Sequence, residues 1–117
     1  MSSSIFEKII KKELPADLLY EDEQAIAIKD IQPAAPFHIL VIPKRQMTNL
    51  NDVSPETDAL LGHCLRIGQN LAKKQGYIDF RTVLNTGANA GQSVFWLHIH
   101  VLAGGAGTNC GLNAMTE

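Results

Sequence analysis

Apolar positions change period several times along the chain, and each change marks an element. Across Ser4 to Lys12 the residues Ile5, Ile9 and Lys12 share a face, with Phe6 and Ile10 beside them. That spacing predicts a short amphipathic helix, capped by Ser4 and ended by Pro15. Leu18 to Tyr20 reads as a brief strand, and Glu21-Asp22-Glu23 as a charged turn. From Gln24 to Asp30 the period becomes two: Ile26, Ile28 and Asp30 point one way, and Ala25, Ala27 and Lys29 the other. Pro33 and Pro36 bracket a stiff loop. Phe37 to Ile42 is a nearly unbroken apolar run, as expected of a strand covered on both faces, and Pro43 stops it.

The second half begins with Ser54-Pro55-Glu56, which suits a helix start: a capping hydroxyl, proline in the first turn, and an acid near the positive end. Leu61, Cys64, Leu65, Gly68, Leu71 and Ala72 then recur at helical spacing up to Gly76. Arg81 to Asn85 predicts a strand and Thr86 to Gln92 a loop containing Gly87 and Gly91. Ser93 to Leu102 is the most β-prone run in the chain. Residues Ala103 to Glu117 are rich in glycine and small side chains and are expected to be a loosely ordered tail. The order helix, three strands, long helix, two strands favours an α+β fold, an antiparallel sheet with its helices on one face.

Composition narrows the picture. At 117 residues, 45% hydrophobic and 19% charged, the chain makes one soluble domain with no length for a second core. A formal charge of -2 and the lack of a basic stripe give no reason to expect nucleic-acid binding. The N-terminal stretch mixes charges among its apolar residues, so neither a signal peptide nor a membrane span is expected there. Cys64 and Cys110 cannot build a disulfide framework and read as reduced thiols, which points to the cytoplasm.

The chemistry concentrates in Ser93–Leu102. In a strand Trp96, His98 and His100 share one face, while Phe95, Leu97, Ile99 and Val101 line the other as core beneath the helices. Two imidazoles would then lie roughly 7 Å apart on the sheet. They are equally readable as polar residues on a solvated face. As chemistry, one neutral imidazole can attack phosphorus and the other can assist the leaving group. The loop from Asn85 to Ser93 offers backbone N–H groups, an amide and a hydroxyl to phosphate oxygens. It holds no lysine or arginine, which favours a monophosphate ester or amide over a triphosphate. His38 reads as a core histidine or a site residue, His63 as a surface or helix-packing residue, and Asp30 as a turn cap or a carboxylate for ribose hydroxyls.

The segment Gly91–Gly104, GQSVFWLHIHVLAG, resembles the signature of histidine triad proteins, in their Hint-like branch. Ser4–Pro15, Tyr20–Asp22, Asp30–Pro43 (DIQPAAPFHILVIP) and Leu61-Gly62-His63 resemble the same family in the same order. The resemblance spans residues 4 to 104, leaving 105 to 117 as the tail of a single domain. It implies a five-stranded antiparallel sheet with a long helix and a short N-terminal helix, the sheet continuing into that of a second copy in a homodimer. It also implies hydrolysis of purine nucleoside 5′-phosphoramidates without a metal or other cofactor. His98 matches the family's nucleophile, which forms a nucleotidyl-histidine intermediate. His100 matches the third triad position, at the phosphate and the leaving group. Ser93 and Asn85 match contacts to those same groups, with Gly91 and Gln92 beside them. Asp30 matches the ribose acid. Ile5, Phe6, Ile9, Ile28, Ile31 and Leu40 fall where the family builds its purine pocket, and His38 at a supporting position.

Two departures stand out. The first triad histidine is Trp96 here, and an indole has one donor and no acceptor. The tail lacks the arginine and the aromatic end that Hint-like proteins often carry, so the leaving group is not legible. Two rivals follow from these residues. One is a purine-nucleotide binder disabled at Trp96. The other is a metal hydrolase in which His38, His98 and His100 hold zinc, with no acid or thiol evident to complete the set.

Overall fold

The computed structural model describes residues 4–105, so Cys110 and the tail beyond Gly105 lie outside the described residues. Helix α1 (Ser4–Ile10) opens the chain, followed by strands β1 (Leu18–Glu21), β2 (Ala25–Lys29) and β3 (Phe37–Pro43). Helix α2 (Asp58–Lys74) comes next, then β4 (Arg81–Val83) and β5 (Ile99–Ala103). The strands form one antiparallel sheet in the order β1-β2-β3-β5-β4. The first three make the expected meander. The chain then crosses over through α2, lays β4 at the far edge, and returns β5 to the space between β4 and β3.

The alternation in β2 and β3 splits the core into two layers. Ala25, Ala27, Ile39 and Val41 face α2 and pack with Cys64, Ile67 and Ala72 of that helix and with Ile99 and Val101 of β5. Ile26, Ile28, Leu40 and Ile42 face the other way and pack with Phe6 of α1 and with Trp96. The two helices therefore cover opposite faces of the sheet, not the same face. The reason lies in β2 and β3, where consecutive residues are both apolar, so each face demands its own cover. Small residues let α2 approach closely: a Cβ on Gly68 would meet Val101 Cγ2 at 2.8 Å.

Several boundaries shift for local reasons. α1 ends at Ile10, before Lys12, which adopts a left-handed φ of 65°. The side chain of Ser4, its expected cap, lies outside the described residues. The Ser54-Pro55 start opens as a 3-10 turn, Pro55–Thr57, ahead of the α-helix at Asp58, with Thr57 Oγ1 accepting from the Ser54 N–H. On α2 the buried stripe runs through Cys64, Ile67, Gly68 and Ala72, while Leu65 is exposed. β4 stops at Val83 and does not reach Asn85.

The largest correction is β5, which begins at Ile99 and not at Ser93. The preceding residues spend their polar groups elsewhere: Val94 O accepts from the Gln92 side chain, Leu97 N–H donates to Met47 O, and Trp96 O accepts from the His98 ring. Leu97, Ile99 and Val101 still enter the α2-side core, but Phe95 is exposed.

The Tyr20–Asp22 and Leu61–His63 segments meet across the fold. His63 Nε2 donates to Asp22 Oδ2 at 2.6 Å and Tyr20 Oη to the same oxygen at 2.8 Å, while Oδ1 takes the Gln24 and Ala25 N–H groups. Burial pushes the Asp22 carboxyl up, but these four donors together hold it well below the usual carboxylate range. His63 is thus a helix-to-hairpin clasp. Behind it, burial pushes the Cys64 thiol up to about 12, so it stays a protonated packing group. Among the described residues no helix is long and apolar enough to cross a membrane.

Candidate active site

The face of the sheet that carries α1 also carries the polar groups. Antiparallel pairing sets His100 opposite Leu40 on one side and Val83 on the other, and His38 opposite Leu102. His38, Asp30, His98 and His100 are all buried. A buried imidazole must find partners for both ring nitrogens, so the network fixes where the protons sit.

His98 lies one residue before β5. Its Nδ1 is 2.8 Å from the Trp96 carbonyl oxygen, which can only accept, so Nδ1 carries the proton. The neutral ring then has its lone pair on Nε2. Burial lowers the His98 pKa below the ordinary histidine value, while the Trp96 carbonyl and the Asp30 charge pull more weakly the other way. Phe6 meets the ring edge-on with centroids 5.0 Å apart. The residue is therefore neutral near pH 7, oriented, and walled by an aromatic. Those are the requirements of an imidazole nucleophile.

His38 is read the same way. The Ala34 N–H donates to His38 Nδ1 at 2.9 Å, which forces the proton of the neutral ring onto Nε2. That Nε2–H lies 2.9 Å from His100 Nδ1 and donates to it. His100 in turn carries its proton on Nε2. A single main-chain N–H in the proline-bracketed loop thereby sets the tautomers of two histidines in series. Burial lowers the His38 pKa, against the Asp30 charge. The 3.3 Å approach of Asp30 Oδ2 to His38 Nε2 is then a charge beside a neutral ring and not an ion pair. Asp30 Oδ1 accepts the Gln32 N–H at 2.8 Å, the turn cap expected of it, while buried Oδ2 accepts no hydrogen bond from the described residues.

Asp30, His38 and His100 bring potential ligand atoms within 4.8 Å of one another. Sequence reasoning placed His98 in a zinc set and counted no acid nearby; Asp30 is nearby. The donor set nevertheless does not suit a cation. His38 Nε2 holds a proton where a metal would need a lone pair, and freeing it would strip the Ala34 N–H of its acceptor.

Trp96 stands two residues before His98. Its indole Nε1–H donates to the Pro43 carbonyl at 2.9 Å, and the ring is buried among Phe6, Ile26, Ile28, Leu40 and Ile42. The bond that orients His98 comes from the main chain of residue 96, so it does not depend on which side chain stands there.

The loop between β4 and β5 is held by Gln92. Its Oε1 accepts from Gly87 N–H and Asn49 Nδ2, and its Nε2 donates to Thr48 O and Val94 O. That side chain was expected beside the phosphate; all four of its bonds are spent on the loop, so it shapes the site without a group left for a ligand. Gly87 and Gly91 bend the loop at φ of 94° and 103°, in the left-handed region. Ser93 is exposed at the loop's end, and Asn85 is half-buried two residues beyond the end of β4.

The apolar residues expected around a base divide. Phe6, Ile28 and Leu40 are buried together with Ile9 packed against them, in the layer that holds Trp96. Ile5 and Ile31 are exposed, Ile31 almost fully at 92%. The rings of His98 and His100 lie 5.0 Å apart, closer than a regular strand would set them, because His98 precedes the strand. Sequence reasoning missed the orienting main-chain groups, Ala34 N–H and the Trp96 carbonyl, since neither depends on a side chain.

The chain is similar to several known proteins. A family model described as the scavenger mRNA decapping enzyme C-terminal binding family matches residues 3–116. A HIT-like protein of Synechococcus elongatus is 49% identical over 102 residues, covering 86% of this chain and 90% of that one. The purine nucleoside phosphoramidase of Escherichia coli K12 is 39% identical over 103 residues, covering 86% and 87%. A solved HIT family hydrolase from Clostridium thermocellum superposes with a TM-score of 0.84 at 42% identity, covering 87% of this chain and 90% of its own.

Proposed function

The chain belongs to the histidine triad family of hydrolases, and on that premise we propose that it cleaves the P–N bond of purine nucleoside 5′-phosphoramidates with His98 as nucleophile. The observation that carries the proposal is the hydrogen bond from His98 Nδ1 to the carbonyl of Trp96, which leaves a buried neutral Nε2 as the attacking atom. It also favours turnover over mere binding. Exchanging histidine for tryptophan at residue 96 removes an imidazole, but the acceptor that orients the nucleophile is retained in the main chain.

In the proposed reaction His98 Nε2 attacks phosphorus, and the P–N bond breaks as the new N–P bond forms. The electron pair stays on the leaving nitrogen, to which His100 presents its Nε2–H. Water then attacks phosphorus and displaces His98. Summed over both steps, one water supplies the hydroxyl on phosphorus and the hydrogen on the amine. Asn85 and Ser93 serve the phosphate, with the Gly91–Gln92 turn beside them, and Asp30 serves the ribose through Oδ2, which has no hydrogen-bond donor among the described residues. Phe6, Ile9, Ile28 and Leu40, with exposed Ile5 and Ile31 at the mouth, receive the base.

Two further parts of the reading rest on the surface. The exposed edge at β4, with Leu65 and Phe80 beside it, supports pairing with a second copy in a homodimer. A free, buried Cys64 suits a reducing cytoplasm.

The test is hydrolysis of adenosine 5′-phosphoramidate by the purified protein in the presence of chelator. Wild type turns over, and His98→Ala loses roughly 10⁴-fold or more. Binding of AMP by both proteins with turnover by neither would identify a nucleotide binder and overturn the enzymatic reading.

A further inference from the structure

The face of the sheet opposite the active site has a gap at one end. Helix α2 covers that face, but it stops at Lys74, and Gly76 turns the chain away at a φ of 88°. Where β2 finishes and β3 begins there is a cavity of about 310 Å³, lined by Leu19, Lys29, Pro33, Pro36, Phe37 and Tyr77. Each wall has a local cause. The pairing of β1 with β2 slips between Leu18 and Tyr20, a bulge that re-aims Leu19. Ile28 packs on the α1 side, so alternation places Lys29 on the α2 side. Phe37 and Tyr77 pack against the α2-side core with centroids 5.4 Å apart and rings tilted by 42°. Both are only half-buried, which leaves ring surface for a further flat group.

The cavity has the size and make-up of a small-molecule site, with aromatic, aliphatic and proline walls and few polar groups. One of those groups is a cation. Lys29 Nζ lies 3.8 Å from Asp17 Oδ2, and both side chains are more than half exposed, so that pair is loose and worth little. Gln75 adds an amide to the lining. The wall is shared with the active site. Pro33 and Pro36 bracket Ala34, whose N–H sets the His38 tautomer, and Asp30 and His38 themselves reach the lining. We propose that this cavity is a second, regulatory ligand site for a small flat aromatic carboxylate, whose occupancy is passed to His38 through the Pro33–Pro36 loop. The carboxylate meets Lys29 and the ring packs against Phe37, Tyr77 and the prolines. A nucleotide on the α1-side face and this ligand can then be bound together. The site lies on the other face of the sheet, so it does not rest on the phosphoramidase reading.

The experiment is a heteronuclear NMR titration of the protein with 2-naphthoate and with 2-naphthamide, which differ by one charge at equal size, each with and without excess AMP. Naphthoate should shift the amides of Lys29, Ala34, Phe37 and Tyr77 saturably, with half-saturation on the order of 1 mM for a ligand of that size. Naphthamide should bind about two- to fivefold more weakly, the worth of a half-exposed ion pair, and Lys29→Gln should erase the difference. The ring nitrogens of His38 should move along the same saturation curve. Absence of saturable shifts at these four amides overturns the proposal, as does displacement of naphthoate by AMP, which would place it on the nucleotide face. Equal affinity of wild type for the two compounds overturns the carboxylate assignment. Cavity shifts that leave the His38 ring unmoved overturn the regulatory role. None of these readouts needs turnover, so a protein that binds naphthoate in this way but does not hydrolyse the phosphoramidate refutes the catalytic reading alone.

Discussion

Replacing His38 with phenylalanine should separate leaving-group chemistry from nucleophilic attack. His38 makes two bonds that phenylalanine cannot, accepting from Ala34 N–H at 2.9 Å and donating to His100 Nδ1 at 2.9 Å. The first loss strands a part-buried N–H, a cost of about 1–3 kcal/mol in stability, at the low end where water can enter. The second loss frees His100 to place its proton on either nitrogen. A bond with a net worth of about 1 kcal/mol biases that choice about fivefold, so tautomer loss alone slows the reaction only a few-fold. Positioned acid assistance as a whole is worth about 10²–10⁴-fold, which sets the ceiling. Between those bounds, kcat on an amine leaving group should fall roughly 10- to 100-fold. A nitrophenyl ester of the same nucleotide leaves without a proton and should slow less than about threefold, since His98 keeps its own bond to the Trp96 carbonyl. His38→Gln offers an acceptor and a donor at similar separation and should recover part of the amine rate. Equal losses on both leaving groups, or no loss on the amine, would refute the relay through His100.

Other expectations follow from the same geometry. Trp96→His should retain turnover of the phosphoramidate, because the carbonyl that orients His98 is unchanged; a dead but folded variant would show that the side chain at 96 matters directly. Trp96→Ala opens a cavity in the α1-side layer and should cost about 3–5 kcal/mol in chemical denaturation. The His98 pKa is held below the ordinary value by burial, so the rate should be level through neutral pH and fall only as pH drops below the usual histidine range. Stability follows the same sign: with the folded pKa values of His38 and His98 depressed, their contribution is complete above the unfolded value and is lost as pH falls through the folded ones. Gly68→Ala gains up to about 1 kcal/mol of helix propensity but drives a Cβ to 2.8 Å from Val101 Cγ2. Overpacking costs about 1–3 kcal/mol, so thermal unfolding should show a net loss.

Much of this fold is written in local pattern. The alternation Ala25-Ile26-Ala27-Ile28 places small residues under α2 and large ones under α1, and the structure keeps that division residue for residue. What the alternation cannot tell is that both layers need a helix, because an apolar face reads the same whatever covers it. β-propensity misled at Ser93–His98, where Gln92 and Met47 recruit the backbone groups that a neighbouring strand would otherwise take. Of the site, the His98–His100 pair and Asp30 were legible as side chains with chemistry. The tautomers were not, because they depend on the Ala34 N–H and the Trp96 carbonyl, which any residue supplies. Gln92 illustrates the converse error: its amide looks available to a phosphate until four loop partners claim it.

The central claim is that His98 Nε2 attacks phosphorus, and it is tested most directly by trapping the intermediate. Wild-type protein mixed with a slight excess of adenosine 5′-phosphoramidate, quenched in base to preserve nitrogen–phosphorus bonds, should gain one adenylyl group by intact mass, and peptide mapping should place it on His98. An adenylyl group on His100 instead, or turnover with no adduct at times when single-turnover kinetics require one, would contradict the account.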